Sequence, residues 1–144
     1  MAKILLPVCL LMMVFSIITF SCVDHSIPSN DPVIETGYAG GVGLNDGIDM
    51  NFRLSFKDLG SKGIVEYGIS YIPYTTDVPN DEIYIDNPGV LLEKFTAPYP
   101  AILGEVKQSH AKFPYYGAIY YRAYVITADK YVFYGEKKFT ILPK

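Results

Sequence analysis

The sequence contains no tryptophan and only two cysteines, Cys9 and Cys22, both within its first 22 residues. Without a thiol beyond Cys22, that part of the chain can hold no disulfide, cysteine nucleophile or cysteine-ligated metal. A domain exported in that state must rest on its hydrophobic core alone. Histidine is as scarce. His25 and His110 have no second histidine, cysteine or spaced carboxylate beside them that reads as a zinc site. Both are expected to be solvent-exposed spectators. Charge is thin too: 12 basic and 15 acidic residues leave a net −3, which argues against a nucleic-acid-binding surface and against a disordered polyelectrolyte. There is no internal repeat, no low-complexity tract and no Gly-x-Ser-x-Gly elbow.

What is present in quantity is aromatic and apolar. Half of the residues are hydrophobic, with 13 Tyr and 8 Phe punctuated by 12 Gly and 10 Pro. This composition favours β structure over helices. If the first 22 residues are removable, about 110 remain, enough for one single-core domain and not two.

Lys3 supplies one positive charge, and Ile4 to Phe20 (ILLPVCLLMMVFSIITF) follows without any. A basic start, an apolar stretch and a small residue before a cut site make a secretory signal peptide. A permanent transmembrane anchor is the competing reading, since about 20 apolar residues cross a bilayer. No Lys or Arg follows until Arg53, and the run ends in Thr19-Phe20-Ser21-Cys22. That ending resembles the lipobox of bacterial lipoproteins, in which a small residue precedes a cysteine that is lipidated and becomes the new amino terminus. Thr19 stands where Leu is usual and Phe20 where a small residue is usual. The resemblance implies that 1–21 is a signal peptide, that Cys22 is the lipidation site, and that the protein sits in the cell envelope at the outer membrane. Residues 22–32 (CVDHSIPSNDP) are polar with two prolines, and read as an extended tether. Without Lys3 the chain holds 11 basic and 15 acidic residues, a net −4, which gives no attraction to anionic lipid or nucleic acid.

From Val33 to the end, a pattern of period two predicts short strands. Met50, Phe52, Leu54 and Phe56 alternate with polar residues; so do Val65, Tyr67, Ile69 and Tyr71. Ile119, Tyr121, Ala123 and Val125 alternate with Tyr120, Arg122 and Tyr124, and Tyr131 and Phe133 oppose Val132 and Tyr134, with Phe139 and Ile141 continuing the series. Further candidate strands are 34–42, 82–86 and 101–108, while 90–95 is the one stretch that could make a helical turn. Asn45-Asp46-Gly47, Gly60-Ser61-Lys62-Gly63, Asn87-Pro88-Gly89 and Ala128-Asp129-Lys130 mark turns. Pro98 and Pro100 confine Tyr99 to a loop or sheet edge. About seven strands at such spacings predict a β-sandwich over 33–144. Ile119 to Ile141 is similar to the final hairpin of fibronectin type III-like domains of bacterial envelope lipoproteins, and Val65 to Tyr71 resembles their third strand. The resemblance implies a single seven-stranded fibronectin type III/Ig-like sandwich. Ile119 stands where that family's corner tyrosine would be, so its loop-anchoring hydrogen bond is expected to be absent or replaced by one from Tyr115 or Tyr116.

Candidate chemistry is sparse. The glycines of Gly37 to Gly43 lead to a turn and a strand rather than a helix amino terminus, so they read as a bulged first strand and not a phosphate loop. Asp77, Asp81, Glu82 and Asp86 are a weak calcium candidate; their spacing does not match an EF-hand, and a solvated acidic loop is the simpler reading. Tyr120, Tyr124 and Tyr134 are expected on the outer face of one sheet, either as structural cross-strand pairs or as a surface for sugar rings or protein. The expectation is therefore a lipid-anchored, non-catalytic binding or spacer module with no cofactor. Its partners would be the membrane and an envelope protein or polysaccharide. Alternatives are a structural subunit of a surface appendage and a small hydrolase built around His110 and a nearby carboxylate.

Overall fold

The computed structural model describes residues 30–74 and 83–143. Among these the protein is all-β, with no helix. Its strands are β1 (Val33–Thr36), β2 (Gly40–Leu44), β3 (Gly47–Asp58), β4 (Ile64–Pro73), β5 (Leu91–Lys94), β6 (Gly104–Phe113), β7 (Ala118–Thr127), β8 (Val132–Tyr134) and β9 (Lys138–Ile141). They form two antiparallel sheets. In the first, β3 lies between β6 and the pair β1 and β2; in the second, the order is β5, β4, β7, and then β8 and β9 along the far edge of β7.

The alternating apolar residues decide which faces meet. Phe52, Leu54 and Phe56 from β3 are buried against Tyr67, Ile69 and Tyr71 from β4 and Ile119, Tyr121 and Ala123 from β7, in one core shared by both sheets. Phe52 stacks on Tyr71 at 5.8 Å and meets Phe113 edge-on at the same separation, while Phe56 meets Tyr67 at 5.2 Å. Fully burying each such side chain contributes about 1.5–3 kcal/mol. This β-sandwich-like body has no disulfide among its described residues because it has no cysteine there.

Where about seven strands were expected, nine are present among the described residues, because the first and last strands are each broken. Along β1 the partners pair as Ile34↔Phe56 and Thr36↔Leu54, and along β2 as Gly40↔Asn51, a slip of one residue. The last strand slips likewise: Tyr134 pairs with Tyr124, but Phe139 pairs with Tyr120. A one-residue slip exchanges the faces of a strand. Hence Phe133 packs against the core, while Phe139 and Ile141 point outward and Thr140 takes the inner position.

The two breaks interlock. Gly135 leaves room for Thr36, whose oxygen would lie 2.5 Å from an added Cβ. The Thr36 hydroxyl donates to the Glu136 carbonyl and accepts from the Ala123 amide at 2.9 Å. Tyr121 holds the other side of the first break, accepting from the Ala39 amide at 3.0 Å and donating to the Gly37 carbonyl at 3.3 Å. Of the two candidates to replace a corner tyrosine, Tyr115 packs its ring on Tyr71 and Phe113, and Tyr116 is exposed.

Two further expectations need correction. Residues 83–86 are not a strand but the start of a turn-rich segment, and 91–94 is strand β5 rather than a helical turn. The reason for the second is Gly68. Its missing side chain lets the β5 backbone approach so closely that an added Cβ would lie 2.1 Å from the Glu93 carbonyl oxygen.

Candidate functional site

The two outer faces differ in chemistry. On the first sheet the outward residues of β3 and β6 form a polar ladder, with Ser109 donating to Asn51 at 2.7 Å and Arg53 and Lys107 both facing Glu105 at 3.8 and 3.2 Å. On the second sheet they are aromatic. Tyr120, Arg122 and Tyr124 alternate along β7, with Ser70 and Ile72 beside them on β4.

Segment 83–90 lies across the middle of this aromatic face. Ser70 Oγ donates to the Ile83 carbonyl at 3.0 Å, and Ile83 is 1% exposed. The Ile85 amide donates to the Tyr134 hydroxyl at 3.1 Å. The Arg122 guanidinium stands 5.1 Å from the Tyr84 ring centre and 4.7 Å from that of Tyr134. Its Nη2 and Nε donate to the Gly135 carbonyl at 2.7 and 3.1 Å. One arginine thus ties the segment, the sheet and the break in the last strand together through cation–π contacts and hydrogen bonds at a partly buried site.

The three tyrosines expected as an exposed row share that face but do not form one surface. Tyr124 is the correction: it is fully buried. It sits opposite Gly68, which offers no competing side chain, and its hydroxyl donates to Glu66 Oε1 at 2.9 Å while Lys94 holds Glu66 Oε2 at 2.8 Å. Burial, reinforced by the Glu66 carboxylate, drives the Tyr124 pKa far above the ordinary phenol value. Tyr134 is half-buried under segment 83–90, and burial raises its pKa as well. Only Tyr120 belongs to an open aromatic group. It lies 5.8 Å from Tyr74 and 4.8 Å from Phe139, and those two rings are 6.1 Å apart. Tyr74 and Phe139 are each 47% exposed. The Lys137 ammonium is 5.6 Å from the Tyr120 ring centre. Three neighbouring rings with one cation at their rim can stack on the apolar face of a sugar or receive an apolar protein side chain.

Sequence reasoning missed Tyr74 and Phe139. Tyr74 lies just beyond the end of an alternating run, and Phe139 changes face through the one-residue slip. A signal existed in the Gly135-Glu136-Lys137 interruption, which is where such a slip can occur.

His110 is not a free spectator. Its Nδ1 lies 2.6 Å from Glu93 Oε2, and its ring meets Phe113 edge-on at 5.3 Å. Because Glu93 belongs to β5 and His110 to β6, the pair bridges the two sheets along the open side of the sandwich. Neither of two surface clefts is lined by it: one, of about 180 Å³, lies among Tyr38, Gly40, Gly41, Val42, Asn51 and Arg53, and the other, of about 230 Å³, runs from Leu59 to Ile64 beside Pro100 and Ala101. Of the calcium candidate, Asp77, Asp81 and Glu82 lie outside the described residues, as do Cys22 and His25, and Asp86 is exposed. Among the described residues no three metal-ligating side chains converge. No family model, curated protein or solved structure matches the chain.

Proposed function

We propose that this chain is a lipid-anchored cell-envelope module with a fibronectin type III/Ig-like sandwich, acting as a binding or spacer unit without catalysis of its own. The observation that carries the reading is the uncharged Ile4–Phe20 run closing on Ser21-Cys22, followed by a short polar stretch and one compact β body. Acyl chains at Cys22 would fix one end, since two chains hold a protein stably on a bilayer. The open aromatic group of Tyr74, Tyr120 and Phe139 is the contact surface of this reading. A protein or polysaccharide fixed in the same envelope meets it at high effective concentration, so weak contacts suffice. The strand connectivity supports the fibronectin-type assignment when β1 with β2, and β8 with β9, are each taken as one broken strand. The use of His110 as an inter-sheet clasp favours this reading over a hydrolase.

Metabolic labelling with a clickable fatty acid, in wild type and Cys22→Ser, tests the anchor. Label in wild type and its loss in the variant are expected; unlabelled wild type removes the anchor. Protease shaving of intact cells then decides which side of the outer membrane the body faces.

One observation favours the appendage-subunit reading. Strand β2 is an edge strand of Gly40, Gly41 and Gly43 with outward Val42 and Leu44, 62% and 51% exposed. Such an edge can accept an added strand. Concentration-dependent polymerisation of the purified protein would support it over the spacer.

A further inference from the structure

The strands give the sandwich two poles. Val33↔Asp58, Phe56↔Gly104, Gly68↔Lys94 and Ile64↔Thr127 all lie towards one of them. That pole therefore gathers the chain before β1 and the loops 59–63, 95–103 and 128–131. The β2–β3 turn, loop 114–117 and the end of β9 lie towards the other.

The first pole is where the body is joined to the sequence that precedes it. The Asn30 carbonyl accepts from the Ser61 amide at 3.0 Å, so residue 30 is fixed against loop 59–63. Cys22 is eight residues upstream. At about 3.6 Å per residue even a fully extended connection spans under roughly 30 Å, less than the thickness of a bilayer with its headgroups. The same pole exposes large apolar side chains on one loop: Tyr99 at 47%, Ile102 at 52% and Leu103 at 63%. Tyr131, 63% exposed, stands on the neighbouring loop 128–131. Loop 95–103 is built to present them. Phe95 is buried and its amide donates to the Tyr67 carbonyl at 3.0 Å, the Tyr67 hydroxyl donates to the Pro98 carbonyl, Tyr99 packs on Tyr67 at 5.1 Å, and Ala101 is buried. The backbone is thus tied to the core on both sides of Tyr99, while Ile102 and Leu103 face outward.

The charges at this pole are balanced and largely self-paired. Lys62 Nζ lies 2.7 Å from Asp129 and 3.9 Å from Asp31, and the Asp58 carboxylate accepts from the Gly60 amide at 2.8 Å. With Lys130, and with Lys94 paired to Glu66 at 2.8 Å, these residues are three cations against four anions, so the pole has no preference for anionic headgroups. A tyrosine-edged apolar loop with neutral surroundings has the chemistry of the bilayer interface, where Tyr rings sit at headgroup level.

We infer that the anchored body rests on the bilayer through this pole, with Ile102 and Leu103 inserted at the headgroup–acyl boundary and Tyr99 and Tyr131 at its rim. The inference rests on the lipid-anchor reading above. It orients the sandwich so that the opposite pole points away from the membrane and the open aromatic group of Tyr74, Tyr120 and Phe139, near that far pole, stays accessible to partners.

Because the chain has no tryptophan, a single introduced one reports its own surroundings. Full-length Leu103→Trp, Ile102→Trp and, at the far pole, Tyr116→Trp are purified from membranes and reconstituted in vesicles of phosphatidylcholine with or without brominated acyl chains. Mass spectrometry of each sample reads acylation at Cys22. The expected result is acylated protein in which brominated lipid lowers emission at least roughly twofold at 102 and 103 but leaves 116 unchanged, as burial at the acyl boundary requires. Using both 102 and 103 guards against one variant misfolding, which circular dichroism detects. Acylated protein with all three positions unquenched, or all three quenched alike, overturns the inference and leaves the anchor standing. A stable dimer in detergent that Leu103→Asp dissociates also overturns it, by giving the loop to a second copy. Unacylated wild type overturns the anchor reading and the inference with it.

Discussion

At the residue scale, Tyr124 illustrates how position and exposure separate. Its place on the outer face follows from alternation along β7, but its burial does not, because it depends on neighbours distant in sequence: Gly68 opposite it on β4, Glu66 at its hydroxyl and Tyr134 beside it on β8. Removing only its hydroxyl, Tyr124→Phe, leaves Glu66 Oε1 without its donor and is expected to cost about 0.5–1.5 kcal/mol, while Tyr124→Ala should cost about 3–5 kcal/mol by leaving a cavity as well. Urea titration of both variants measures the difference; equal, negligible losses would show the ring to be unburied in solution. Burial also pushes the Tyr67 and Tyr71 hydroxyls up to about 12, helped by Tyr99 at the first and by Tyr115 and Glu93 at the second. The folded state then keeps protons that the unfolded chain releases near pH 10. This contribution is complete below pH 10 and falls as pH rises towards 12, by about 1.4 kcal/mol per pH unit for each such group. Absorbance of tyrosinate against pH should show the exposed tyrosines ionising first and the buried ones only with unfolding.

At the scale of elements, the long strands were legible in the sequence and the short ones were not. β3, β4 and β7 carry enough alternating positions for a period of two to stand out, and their inward residues are those the alternation implies, except Val65, which the irregularity between Ile64 and Glu66 leaves 56% exposed while Ile64 packs on the core. β5 has four residues and no alternation; it is a strand because β4 offers it a glycine to pack on. Gly68→Ala should therefore displace β5, costing about 1–3 kcal/mol, with faster hydrogen exchange confined to 91–94; unchanged protection there would sink the explanation. Segment 83–90 is likewise held by side chains and not by a ladder. Arg122→Ala is expected to raise hydrogen exchange and proteolysis across 83–90 while β4 and β7 amides stay protected. Uniform loosening of the second sheet would instead assign Arg122 to global stability.

At the scale of the whole molecule, the all-β class and the shared core could be read from composition and alternation, whereas the candidate surface could be read only in part. Tyr120 was foreseen. Tyr74 and Phe139 were not, since their neighbourhood depends on a register slip that no local pattern encodes. The joined breaks at Thr36 and Gly135 are of the same kind, a long-range fit between two irregularities. Thr36→Val keeps the volume but leaves the Ala123 amide and Glu136 carbonyl without their partner. A loss of about 1–3 kcal/mol is expected, read as a shift in thermal midpoint; a neutral substitution would mean that water takes over both groups.

That junction also bears on how the body would respond to tension. A pull at Asn30 draws β1 along its own axis, against β3 on one side and, through Thr36, against β7 and the last strand on the other. If the load is resisted at the opposite pole, the ladder bonds are sheared together rather than peeled one after another. Rupture then requires the short β1–β3 ladder and the two Thr36 hydroxyl bonds to fail together, so the amino-terminal edge resists a pull along β1 as one unit.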